Sequence, residues 1–441
     1  MKAIILDGSF ENDVTAEHVR AAAMDNLQAG GWDVQHILLR EQKIGNCAGD
    51  FFCWVRSPGL CNVNDDNRVI AEALVASDLM VYLTPVTFGG YSSTLKRMVD
   101  HQIQNIAPFF ANIHGETHHQ KRYIKYPDFL AIGWLDAPDA GAEAIFRYLA
   151  GRNALNFYAK KSVTGLILRS QSAAEIDATI KSCLDNLGAN FNTPVPELPG
   201  ESETFTPKNE AAPIQRAVLM VGSPRTRKST SQSLGSYLLD QLKSRSIQTE
   251  TIYLHTVLRS PEKMNALFAA LDAADLVLLA FPIYVDSLPA PVIEALERIT
   301  AHRALRVRQA PAHRQLFGAI SNCGFPEVAH NRAALAICKV FAQQTGFKWA
   351  GSLALGGGEM VHGMPLTELG GRVIPIKAGL ELAASALAKG NSIPRQAQAL
   401  FAKQVVPAWL YRLLGGIGWK QQAKKFGAQN SLMRKIFTET K

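Results

Sequence analysis

One stretch of this sequence gathers groups that would hold an anion. In VGSPRTRKSTSQSLGSYLLDQL, residues 221–242, an apolar run ends at Val221, a small-residue turn follows, and a helix is expected to open near Thr230. The amino end of a helix presents backbone N–H groups without intrahelical partners and carries a partial positive charge. Ser223, Ser229, Thr230 and Ser231 add hydroxyls there, and Arg225, Arg227 and Lys228 add positive charge. Such donors suit a dianionic phosphate. The plain alternative is a capped helix after an exposed basic turn.

Sulfur is the second concentration. Cys47, Cys53 and Cys61 fall within NCAGDFFCWVRSPGLC, with Asp50 between the first two, while Cys183, Cys323 and Cys338 are scattered. In a large cytosolic protein they are expected to be reduced. The clustered three could take zinc with mixed ligands. Cys47 and Cys53 could instead form a redox pair. The reading preferred is a loop that packs Phe51, Phe52 and Trp54 at a subunit contact, with the cysteines as small hydrophobes. The polar stretch 112–127 offers His114, Glu116, His118 and His119, for which structural or substrate-lining roles are expected. No metal is expected at either place.

These residues must be positioned by a repeated body. KAIILDGS (2–9) resembles RAVLMVGS (216–223), and SDLMVYLTPVTFGG (77–90) resembles ADLVLLAFPIYVDS (274–287). FLAIGWL (129–135) pairs with LFGAISN (316–322), and SVTGLIL (162–168) with WAGSLAL (349–355). Four matches in one order argue for duplication of a whole domain. Helical patterns lie between the strands, at 16–29, 66–77, 93–104, 229–246, 264–274, 290–301 and 328–345, with two more near 374–390 and 394–414. Continuous apolar strands alternating with helices read as βαβ units around a parallel sheet covered on both faces. The Pro- and Glu-rich run 193–213 reads as a linker. The expected division is a first domain at 1–192, a second at 214–394 and a basic tail at 395–441. The Gly-rich stretch 355–371 reads as an ordered loop.

The turn and its surroundings resemble the NADPH-dependent FMN reductases and flavodoxin-like NAD(P)H oxidoreductases. Gly222, Ser223, Pro224, Arg225, Ser229 and Thr230 match that family's phosphate turn residue by residue. The resemblance implies a doubly wound α/β fold in two tandem flavodoxin-like domains. It also implies that Pro282, Ile283, Tyr284, Val285, Asp286 and Ser287 lie against the isoalloxazine ring, and that Asn322, Cys323, Gly324, Phe325 and Pro326 form a third contact loop. Tyr284 could cover a ring face, and Cys323 lies near the expected ring edge. The first domain resembles the members that carry a cysteine-rich run. There Pro85, Val86, Thr87, Phe88 and Gly89 match the ring loop, and Ser9 and Thr15 remain from the phosphate turn. Phe10 and Glu11 stand where Pro and Arg belong, and Asp13 adds a second acid, so like charge would oppose a phosphate. Related iron–sulfur flavoproteins place cysteines at all three positions of a C-x2-C-x2-C run. Asp50 takes the middle position here, and a cluster normally needs four thiolates.

The resemblance implies FMN as cofactor, NADPH or NADH as hydride donor, and a small acceptor such as a quinone or free flavin. It also implies a homo-oligomer. An electron carrier or scaffold serving a partner enzyme is the alternative. Apolar residues make up 47% and charged residues 19% of the 441 positions, a globular composition. No apolar run reaches the ~20 residues that cross a bilayer, and the amino terminus lacks a signal-peptide pattern, so a cytoplasmic location is expected. From Arg395 onward, nine Lys or Arg face one acid, Glu439. No nucleic-acid motif accompanies that charge. The tail, with Trp409, Tyr411 and Trp419 among its basic residues, could lie on an anionic membrane surface, on the body or on a partner subunit. Gly415, Gly416 and Gly418 are expected to interrupt its helix.

Overall fold

The computed structural model describes residues 1–189, 193–198, 214–307, 315–404 and 406–437. The chain divides into two compact units, Met1–Glu197 with Trp409–Lys441, and Leu198–Ala408. Of the expected linker, residues 199–213 lie outside the described residues.

The first unit runs β1 (Lys2–Asp7), α1 (Val14–Ala29), β2 (Asp33–Leu38), α2 (Phe52–Val55), α3 (Asn67–Val75), β3 (Leu79–Pro85) and α4 (Ser93–His101). It continues with β4 (Ile106–Ile113), β5 (Glu116–Lys121), β6 (Asp128–Leu135), α5 (Ala140–Asn156), β7 (Ser162–Leu168) and α6 (Ala173–Gly188). Five strands form a parallel sheet in the order β2-β1-β3-β6-β7. Strand β3 is buried at every position, as a strand covered on both faces must be. Outside the sheet, β4 and β5 pair antiparallel as a hairpin.

The second unit repeats the plan. It runs β8 (Arg216–Val221), α7 (Thr230–Lys243), β9 (Gln248–Tyr253), α8 (Leu254–Val257), α9 (Pro261–Asp272), β10 (Leu276–Pro282) and α10 (Ala290–Val307). Then come β11 (Leu316–Asn322), α11 (Arg332–Gln344), β12 (Lys348–Leu355), α12 (Ile374–Ala388) and α13 (Arg395–Phe401). Its parallel sheet has the order β9-β8-β10-β11-β12, the same as the first. Both units are flavodoxin-like, with the strand order reversing between β1 and β3 and between β8 and β10, where such sheets bind ligands at the carboxyl edge.

The last elements depart from the expected separate tail. Helix α13 packs on α12, where a Cβ at Gly379 would lie 2.8 Å from the Ala397 carbonyl. Helix α14 (Ala408–Lys424) runs unbroken through Gly415, Gly416 and Gly418. A Cβ on Gly415 would lie 2.3 Å from Phe110 Cε2, so that glycine lets the helix approach the β4–β5 hairpin rather than ending it. Beyond the helix, the buried Arg122 donates to the carbonyls of Leu432 at 3.0 Å and Arg434 at 2.7 Å, fixing the tail to the first unit.

Candidate functional site

In the second unit the three expected loops leave adjacent strands at one edge of the sheet. Strand β8 ends at Val221, and Gly222 N–H continues the ladder to Ala280 O at 2.8 Å. A side chain at Gly222 would lie 2.5 Å from Val292 Cγ2, so only glycine fits this turn. Ser229 caps α7, its hydroxyl accepting from Gln232 N–H at 3.1 Å. Ser223, Ser229 and Ser231 are buried, whereas Arg225, Arg227 and Lys228 are exposed at the rim.

The Pro282–Ser287 loop is a tight turn. Tyr284 and Ser287 exchange backbone bonds across it, with left-handed backbone at Val285 (φ 47°) and Asp286 (φ 57°). Asp286 faces His330 at 3.3 Å. Among the described residues, Ser287 Oγ is buried without a hydrogen-bond partner, as is Gln232 Oε1 on the first turn of α7. Asn322 ties the loops together. Its side-chain amide donates to Ser231 Oγ at 2.8 Å and Phe281 O at 3.0 Å, and its carbonyl accepts from Ile283 N–H at 2.9 Å. Cys323 is buried, and its sulfur contacts the Phe325 and Leu355 carbonyls at 3.2 and 3.5 Å. Burial pushes that thiol up to about 12. Gly324 is exposed on the same loop.

A fourth contributor is the Gly-rich stretch 355–371, read from the sequence as an ordered loop but not placed at this edge. The Gly-rich segment after β12 folds onto the Gly222–Ser229 turn, where a Cβ at Gly363 would lie 2.5 Å from the Lys228 carbonyl carbon. Thr230 Oγ1 donates to Gly358 O at 2.8 Å. This segment also brings in Glu359. Burial pushes its carboxyl up, while His362 and Arg225 pull it the other way.

The first unit keeps the tight turn after β3 and changes the turn after β1. Thr87 and Gly90 exchange backbone bonds, with left-handed Phe88 (φ 54°) and Gly89 (φ 86°), and Val86 N–H bonds Trp134 O at 2.9 Å. Pro85 ends β3. At the turn, however, the cap of α1 is Asp13, which accepts from Ala16 N–H at 3.2 Å. Its carboxylate is also gripped by Arg169, at 2.5 and 2.9 Å, and by the Trp134 indole N–H at 3.0 Å. Burial would raise its pKa, yet Arg169, Trp134 and Ala16 outweigh it and hold the carboxyl below its usual 3.8. Thus an internal carboxylate sits at the helix end where the second unit offers the Ser229 hydroxyl. Ser9 is buried and accepts from Arg40 Nη1 at 2.7 Å, Thr15 is buried, and Glu11 is exposed.

The same fold thus occurs twice, and a family model matches in the same two places. The model for NADPH-dependent FMN reductases covers residues 1–115 and 216–345, more than half of the chain. The chain belongs to that family. A match in two separate regions fits a duplicated family domain.

Two curated relatives of this FMN reductase family member are iron-sulfur flavoproteins. The one from Methanosarcina thermophila is 24% identical over 103 residues, covering 23% of this chain and 53% of that protein. The one from Methanocaldococcus jannaschii is 27% identical over 100 residues, covering 23% and 51%. The chain spans about half the length of the curated relatives it matches. Among solved structures, an FMN-dependent NADH-azoreductase from Bacillus anthracis is 13% identical, with a TM-score of 0.28, over 40% of this chain and 99% of that one.

The cysteine run of the first unit holds no disulfide. All six cysteines are free thiols. Burial pushes the Cys47 thiol up to about 12, with Asp100 adding to it, and burial also pushes the Cys53 thiol up, with Cys47 and Cys61 adding to it. Protonated thiols of that kind are poor nucleophiles. Phe51 and Trp54 stack at 5.2 Å, and Trp419 from α14 meets each ring edge-on at 5.3 Å. The aromatic residues therefore pack against the chain's own tail.

The histidine stretch forms the β4–β5 hairpin. His118 Nδ1 lies 2.9 Å from Asn156 Oδ1, Glu116 pairs with Arg152, and His119 lies 4.4 Å from Trp54. Among the described residues, no helix is long and apolar enough to cross a membrane.

Proposed function

We propose that this chain is an FMN-dependent NAD(P)H oxidoreductase whose second unit holds one flavin per chain and whose first unit holds none. One observation carries the reading: Asn322 joins the amino end of α7, the end of β10 and the third loop into a single edge. The residues there fit the cofactor. Buried Ser287 Oγ and Gln232 Oε1 have, among the described residues, hydrogen-bonding capacity to spare.

In this reading the backbone of the Gly222–Ser229 turn, with Ser223, Ser229, Thr230 and Ser231, takes the phosphate, and Arg225 offsets its charge from the rim. Pro282, Ile283, Tyr284 and Val285 lie along the ring, and Asn322, Cys323 and Gly324 bound its far side. When bound, FMN supplies the redox chemistry, taking a hydride from NADPH or NADH and giving electrons to a small acceptor such as a quinone or a free flavin. The protein's part is to hold and orient that ring. In the first unit, Asp13 meets the charge need of α1 from within, so Ser9, Thr15 and the Pro85–Gly89 turn remain without a phosphate anchor.

The visible absorbance of the pure protein tests this. A yellow protein with one FMN per chain, bleached by NADPH or NADH, is the expected result. Arg225→Glu should weaken FMN by at least about tenfold by reversing a charge beside the phosphate. Colourless protein that takes up no added FMN, or two flavins per chain, would overturn the reading.

A further inference from the structure

Helix α14 has two unlike sides. Trp419 is buried against Phe51 and Trp54, and Ala423 is buried one turn further on. Trp409, Leu413, Leu414 and Ile417 are instead each about half exposed or more, and Lys420 and Lys424 are exposed beyond them. Trp409, Leu413, Ile417, Lys420 and Lys424 succeed one another at steps of four, four, three and four, so they form one stripe along the helix. The stripe is apolar over its first half and cationic over its second.

The charge around this stripe has one sign. Residues 406–437 hold six Lys or Arg and no Asp or Glu. Arg412 turns toward the β4–β5 hairpin, donating to Thr117 Oγ1 at 3.2 Å. Lys420, Lys424, Lys425 and Arg434 are exposed.

Beside the cationic half runs an open groove of about 610 Å³. Lys420, Lys424, Gln429 and Asn430 give it polar groups, and Phe109 and Ile417 give it an apolar wall. Among the described residues, Gln429 Oε1 is buried without a hydrogen-bond partner. The groove therefore offers two cations, a spare acceptor and an apolar side to one occupant.

The chemistry of this face selects among partners. A second copy related by a two-fold axis would set the patch against itself and bring the lysines against their own equivalents, where like charges repel. A nucleic acid would meet the lysines but give Trp409, Leu413, Leu414 and Ile417 no apolar surface to enter. An anionic bilayer satisfies both halves of the stripe. Apolar side chains enter the acyl boundary, Trp sits at headgroup level, and basic groups meet the lipid phosphates.

We propose that α14 and the groove beside it dock this protein on an anionic glycerophospholipid surface. The Trp409–Ile417 half enters the boundary of the acyl chains. Lys420 and Lys424 extend their stems along that boundary and place their ammonium groups on phosphate. The groove takes one headgroup, whose hydroxyl donates to Gln429 Oε1. This docking rests on no part of the flavin reading.

The test is co-sedimentation of the full chain with two kinds of vesicle, one of phosphatidylcholine and one of phosphatidylcholine and phosphatidylglycerol in equal parts. Binding to the mixed vesicles at least about tenfold tighter is expected. Salt of about 1 M, where the screening length falls to about 3 Å, should weaken that binding by about tenfold or more. Lys420→Gln with Lys424→Gln should weaken it about twenty-five-fold, since each basic group near such a surface is worth about fivefold. Leu413→Ser with Leu414→Ser should weaken it at least about tenfold by removing apolar surface from the inserted half. All four side chains are exposed, so the melting transition should stay in place. The unsubstituted chain's choice between the two vesicles decides the matter even if a variant fails to fold. The proposal is overturned if that chain binds neither vesicle, or binds both equally. It is also overturned if both paired variants bind as the original does, if Leu413→Ser with Leu414→Ser turns a dimer into a monomer, or if a DNA duplex displaces the chain from the mixed vesicles.

Discussion

At the scale of single residues, the two units differ most at the cap of their first helix. The turn from Gly222 to Ser229 spans seven steps and ends on a hydroxyl, while that from Gly8 to Asp13 spans five and ends on a carboxylate. A carboxylate already at a helix amino end satisfies its dipole and repels a second anion. Asp13→Asn should therefore cost the first unit about 1–3 kcal/mol, as charge-assisted bonds to Arg169 are lost. The pH dependence has a definite sign. Asp13 is held below its usual 3.8, so its contribution is present above that value and fades as pH falls through its folded pKa. Asp7 behaves alike. Burial raises it, but His36, Ser9 and Arg20 outweigh this and hold it at about 2. Chemical denaturation of the first unit between pH 5 and pH 2 should show this acid limb, reduced in Asp13→Asn; identical slopes would contradict it. Glu359 has the opposite sign. Its raised pKa means that folding favours the protonated form, so stability is present below its usual 4.5 and lost as pH rises through the folded value. Glu359→Gln should flatten that loss. It should also tighten FMN about fivefold, by removing roughly 1 kcal/mol of repulsion near the phosphate. Unchanged affinity would place Glu359 outside the field of the site.

At the scale of elements, the parallel strands were legible because a strand buried on both faces is written as an unbroken apolar run, and eight such runs fall in two matching sets of four. The turns after them were legible through Gly-Ser and the Pro-led loops. Other features were not, for physical reasons that can be named. Strand β5 of the hairpin (ETHHQK) is only partly buried and carries His and Gln, so it lacks an apolar strand signature. The charge of Asp13 was visible, but its partner Arg169 is 156 positions away and only the sheet brings them together. The Gly-rich segment looked like a loop, yet its glycines serve close approach. Gly363 has a left-handed backbone (φ 71°) and touches the Gly222–Ser229 turn. Gly363→Val should therefore push this segment off the turn and weaken FMN by about tenfold or more, since both strain and collision act at one position. Flavin titration reads the effect, and normal affinity with normal folding would show that the segment is not part of the cradle.

At the scale of the whole molecule, the basic tail is structural at its buried positions before it can be anything else. Helix α14 inserts Trp419 against Phe51 and Trp54, Phe426 meets Phe52 at 5.5 Å, and Arg122 holds the backbone beyond the helix. Its outward residues differ, with Trp409, Leu413, Leu414 and Ile417 about half exposed or more. A chain ending before Trp409 would uncover the aromatic cluster and leave the Arg122 guanidinium without two of its carbonyl acceptors. Loss of a buried aromatic such as Trp419 alone costs about 3–5 kcal/mol, which is comparable to a domain's whole stability. The truncated protein should therefore show a lowered melting transition, or aggregation, confined to the first unit. The second unit's core is drawn from residues 214–401, so its flavin should be retained. Differential scanning calorimetry with flavin fluorescence separates the two outcomes. If truncation left both transitions in place, the tail would be an appendage, and its apolar outer face would be the part that matters.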